Sequence, residues 1–104
     1  MAAEPYKAEV TLEHEQVRVS SVELAPGHKT PEHSHRYGYV VHPRSATKLV
    51  KTHFQDGQPI KTEELEHKPG EPYFVAASED GITFSVENVG SGPMLCDKTM
   101  IKSS

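Results

Sequence analysis

The sequence predicts an all-β, antiparallel barrel or sandwich. Three observations carry this. Short runs of β-branched and aromatic residues recur along the chain, turn chemistry separates them at even spacing, and no stretch has the length or period of a long helix. Hydrophobic residues make up 35% of the 104 and tryptophan is absent, so the core on offer is thin and suits one small barrel. A single domain over 1–104 is expected, with its core at about 8–101, and residues 1–7 and 102–104 are expected to fray.

The elements follow in order. "QVRVSSVEL" (16–24) alternates through Val17 and Val19, then changes phase at Ser20-Ser21 so that Val22 and Leu24 continue it, which predicts a bulge. "APGHKTP" (25–31) is a loop, and "YGYVVHP" (37–43) a strand stopped by Pro43, which has no amide donor. "KLVKTHF" (48–54) leads into "QDGQ" (55–58), whose Asp-Gly is a strong hairpin signal. "PIKTEEL" (59–65) returns as a strand, although "KTEELE" also suits one helical turn. "YFVAA" (73–77) follows the turn "KPGEP". "ITFSVENV" (82–89) alternates with Ile82, Phe84, Val86 and Asn88 on one side, and "MLCDKTMI" (94–101) is the last strand.

Composition narrows function. The net charge is −4 with histidines neutral, and "TEELE" (62–66) is flanked by Lys61, His67 and Lys68, so neither sign forms a patch. A nucleic-acid partner is not expected. No apolar run approaches membrane-spanning length, no signal peptide is visible in "MAAEPYKAEV", and Cys96 alone allows no internal disulfide. These features favour a cytoplasmic protein without a membrane partner. Ser20 and Ser21 lack a nucleophile-elbow pattern, Cys96 has no histidine near it in sequence, and there is no glycine-rich phosphate loop.

Chemistry gathers instead at "KTPEHSHRYGYVVHP" (29–43). On an extended strand His33 and His35 share a face, so the two imidazoles converge if that face lines a cavity. Imidazole is a common ligand for zinc, iron, copper, nickel and manganese. The same pair also suits two half-exposed strand residues.

"PGHKTPEHSH" resembles the first motif of the cupin superfamily: Gly27, five residues, then His33-x-His35. Tyr39 and Val40 stand where that motif has a glutamate. "GITFSVEN" (81–88) resembles the tail of the second motif, with Gly81 and Asn88 in place and Phe84 where a histidine belongs. The resemblance spans roughly residues 15 to 101 and implies an antiparallel double-stranded β-helix, a jelly-roll barrel. It also implies a divalent metal held by three histidines and a glutamate, of which this chain keeps His33 and His35. His53, in phase with Leu49 and Lys51, and Tyr39 are the candidates for a third ligand. His42 and Glu32 are out of phase, and His14, His28 and His67 are expected to be solvated.

Three functions remain open from the sequence. One is a metal-dependent cupin (iron, manganese, nickel, copper or zinc) acting on a small organic metabolite as an oxygenase, isomerase or lyase, with Tyr39 ligating or donating to substrate. Another is a degenerate, metal-free cupin that binds a small ligand, favoured by the phenyl ring of Phe84. A third possibility is a sandwich that acts through its surface, with His33 and His35 on an outer strand. A homodimer is expected, because "AEVTLEHEQVRV" (8–19) supplies a β-prone edge that pairing would cover.

Overall fold

The computed structural model describes residues 5–102. Its strands are β1 (Tyr6–Glu13), β2 (Val17–Leu24), β3 (Tyr39–Pro43), β4 (Thr47–Gln55), β5 (Gln58–His67), β6 (Tyr73–Val75), β7 (Ile82–Asn88) and β8 (Met94–Ile101). They form a five-stranded sheet in the order β1-β2-β8-β3-β6 and a three-stranded sheet in the order β5-β4-β7. All pairings are antiparallel. The fold is an all-β jelly-roll barrel.

Period-two alternation builds its interior. Val22 and Leu24 from β2, Tyr39 and Val41 from β3, Leu49 from β4, and Met94 and Cys96 from β8 form one buried cluster. Leu24 is fully buried. Burial lifts the Cys96 thiol to about 11, so this cysteine behaves as a small apolar group rather than a nucleophile. The β4–β5 hairpin turns at Asp56-Gly57, where both residues have positive φ (54° and 77°). That pair is what a two-residue primed turn requires.

Asn88 closes one end of the barrel. It is 0% exposed, and its side chain is fully engaged. Nδ2 donates to the carbonyls of Leu24 (3.0 Å) and Gly92 (2.9 Å), while Oδ1 accepts from Thr47 Oγ1 (2.9 Å) and the Gly90 amide (3.0 Å). A buried amide is tolerated here because each of its polar atoms is paired.

Several expectations need correction. β2 carries no bulge. Its register with β8 runs unbroken from Val17↔Ile101 to Leu24↔Met94, and the irregularity lies on β1, between Val10 and Leu12. The inward face of β2 is Arg18, Ser20, Val22 and Leu24, so its alternation never changes phase; its first inward residues are simply polar. β3 begins at Tyr39, two residues later than expected. "KTEELE" is strand throughout, within β5.

Of the residues expected to fray, 6, 7 and 102 make backbone pairs. Tyr6 and Lys7 pair with Leu24 and Glu23, and the Lys102 amide donates to Gln16 O at 2.7 Å. Residues 1–4 and 103–104, which carry the rest of that expectation, lie outside the described residues. No helix among the described residues is long and apolar enough to cross a membrane.

Candidate ligand site

The segment that carries His33 and His35 is extended but is not a regular strand. It runs antiparallel to β7 through isolated bridges at Lys29↔Glu87 and His33↔Phe84. Pro31 has no amide to donate, and the Val86 amide is taken by Thr30 Oγ1 (3.0 Å) instead of a backbone carbonyl. Pairing resumes at His33, which exchanges both backbone hydrogen bonds with Phe84 (2.9 and 2.8 Å). Further along, the His35 amide donates to Ser78 Oγ (2.9 Å) and the Ser78 amide donates to His35 O (2.9 Å). The histidine segment is thus anchored at one end to β7 and at the other to the loop before it.

These anchors bring four rings together inside the barrel. The His33 and His35 ring centroids are 5.1 Å apart, edge to face. Phe84 lies 4.4 Å from His33 and 5.4 Å from His35, and Tyr39 lies 4.4 Å from His35. His33 Nδ1 is 2.7 Å from the Pro31 carbonyl; donation to that oxygen leaves Nε2 as the lone-pair nitrogen of a neutral ring. His35 Nε2 is buried without a hydrogen-bond partner. Burial, helped by the positive charge of Lys98, holds His35 down at about 4. Burial also lowers His33, against the opposing pull of the Pro31 carbonyl. Both imidazoles are neutral at pH 7. Burial raises the Tyr39 phenol well above its ordinary range, so it is a neutral donor.

The other histidines divide by position. His53 faces the same side as Leu49 and Lys51 but lies on the far flank of Phe84, 6.5 Å from that ring, with Nε2 3.7 Å from Glu63 Oε2. It lines a cleft of about 330 Å³ at the barrel mouth with Lys51, Ile60, Glu79 and Phe84. His42, His14 and His28 are exposed, and so is Glu32, which accepts from Thr83 Oγ1 at 2.7 Å. His67 is not solvated as expected. It ends β5 opposite Thr47 and points inward, 2% exposed, with Nε2 2.6 Å from the Tyr73 hydroxyl.

The donor set does not fit a divalent metal held by protein groups alone. Only two imidazoles converge, and the groups packed against them are the phenyl ring of Phe84 and the protonated phenol of Tyr39. Among the described residues no three His, Cys, Asp or Glu side chains come together as a metal group. Of the two candidates for a third ligand, Tyr39 packs against His35 at 4.4 Å, whereas His53 lies beyond Phe84, 6.5 Å from that ring. Two ammonium groups, Lys51 and Lys98, also face this space, and their charge opposes a bound cation.

Sequence reasoning passed over those lysines and the His67–Tyr73 pair. The signal was present in the alternation. Lys98 is in phase with Met94, Cys96 and Met100 on β8, and Lys51 with Leu49 on β4.

The fold is similar to three solved cupin structures. A cupin domain from Bordetella pertussis Tohama I superposes with a TM-score of 0.78 at 21% identity, covering 99% of each chain. An RmlC-like cupin family protein with a double-stranded β-helix fold, from Methanocaldococcus jannaschii, gives 0.67 at 16% identity over 95% of this chain and 82% of its own. The cupin domain of an XRE family transcriptional regulator from Enterobacter cloacae gives 0.67 at 16% identity over 97% and 100%. A scan of family models and a search of curated proteins found no match.

Proposed function

We propose that this chain, which has the cupin fold, is a metal-independent binding module that holds a small organic metabolite inside its barrel. The observation that carries this reading is Phe84. Its ring packs on both imidazoles, at 4.4 and 5.4 Å, and fills the place where a third ligand would close a metal's coordination shell. What remains is a set of neutral donors and acceptors on a rigid wall: Tyr39 O–H, the free nitrogens of His33 and His35, and the aromatic faces. Such a set orients a small polar molecule. The likeness to the cupin domain of a transcriptional regulator is consistent with a sensing role.

A thermal-shift screen tests the reading. Stabilisation by organic metabolites in the presence of a chelator is expected, because any ligand that binds only the folded state raises its stability. Stabilisation by divalent metals alone, with no response to organic ligands, would favour the metal-dependent enzyme.

We also propose a homodimer that pairs through β1. Among the described residues that strand is bonded on one side only, to β2, and Val10 and Leu12 are each 52% exposed on it. An open apolar edge is a liability that a second copy removes.

A further inference from the structure

We infer that the barrel ligand is a small carboxylate anion clamped between Lys51 and Lys98. This rests on the small-ligand reading above and adds its charge. Lys51 projects from β4 in the smaller sheet and Lys98 from β8 in the larger one. Both line the same interior space of about 50 Å³, along with His33, Tyr39 and Phe84. Lys98, His33 and Tyr39 also line an adjoining pocket of about 110 Å³, which His35 and Arg18 border.

Neither lysine has an acidic partner within 4.0 Å among the described residues. Lys7, Lys61, Lys68 and Lys102 all pair with a glutamate, and Lys29 and Lys48, which do not, are exposed to solvent. Glu63, directly opposite Lys51 in the β4–β5 register, is engaged by Lys61 at 2.8 Å. Glu79 lines the outer cleft, but among the described residues no aspartate or glutamate lines the two inner cavities. Arg18, at the rim, is taken by Glu13 at 2.8 Å.

Each inward ammonium rests instead over an aromatic face. Lys51 Nζ is 4.2 Å from the Phe84 centroid and Lys98 Nζ is 5.1 Å from that of Tyr39. A ring face compensates a buried cation only in part. Two half-buried cations facing one cavity, with a phenolic O–H beside them, form a socket for an anion. The cavities suit a short-chain acid rather than a drug-sized molecule.

Isothermal titration calorimetry on the full chain, in chelator and at constant ionic strength, tests this. The probes are malonate, acetate, inorganic phosphate and the neutral isostere malonamide. Malonate or acetate is expected to bind and malonamide not to. Lys98→Met and Lys51→Met are each expected to weaken carboxylate binding by about thirty-fold or more. They should also melt no lower than the parent without ligand, since each removes an unpaired, partly buried charge. Binding of phosphate alone overturns the carboxylate assignment. Equal binding of malonate and malonamide, or unchanged affinity in both variants, overturns the clamp and leaves the small-ligand reading standing. No response to these acids together with a neutral metabolite that binds does the same, whereas no organic binder of either kind removes both.

Discussion

At Phe84 the ring and the backbone do separate jobs. The ring packs against both imidazoles, and the backbone exchanges two hydrogen bonds with His33. That bridge fixes which β7 residue faces the histidines. Phe84→His should therefore present a third imidazole to the pair. Zinc affinity is expected to rise at least about tenfold over the parent; a folded variant with no gain would show that position 84 does not address His33 and His35. Asn88 acts on stability rather than on the ligand. Asn88→Ala strips the partners from Thr47, the Gly90 amide and two carbonyls, and should cost about 3 kcal/mol in urea denaturation. A loss below about 1 kcal/mol would mean that water replaces the network. The histidine pair, Tyr39, Phe84 and Asn88 were legible because motif spacing placed them. Lys51 and Lys98 were not, because lysine on a strand usually reaches solvent and only the packed barrel reveals which ones cannot.

Among the elements, β7, β8 and the β4–β5 hairpin were legible from alternation and from Asp56-Gly57, where local chemistry and tertiary burial agree. β2 was misread because Arg18 and Ser20 occupy inward positions beside the cavity, so an apolar pattern could not follow its inner face. The His33–His35 segment departs from a regular strand because Pro31 and the Thr30 side chain interrupt the ladder. β1 offers the test at this scale. Its exposed Val10 and Leu12 leave the edge apolar, so the double variant Val10→Lys, Leu12→Lys should convert a dimer into a monomer of 11.5 kDa by light scattering. A parent that already scatters as the monomer would contradict β1 pairing.

For the whole molecule, three partly or fully buried histidines make stability depend on pH. Burial depresses His33, His35 and His67 in the folded state, His35 to about 4. The unfolded chain, with ordinary imidazoles near 6.5, then binds more protons between these values. Their contribution is fully present above about pH 6.5 and is lost as the pH falls toward 4. The urea midpoint should drop between pH 7.5 and 5, and His35→Gln should flatten that slope; a midpoint unchanged over this range would mean that the imidazoles are hydrated in the folded state. The central claim is that the barrel holds its ligand without a metal. Elemental analysis of untagged protein, incubated with iron, manganese, nickel, copper and zinc and then desalted, tests it most directly. Metal far below one ion per chain, unchanged by His33→Ala, His35→Ala, is expected; about one ion per chain, lost in that double variant, would overturn the metal-independent reading.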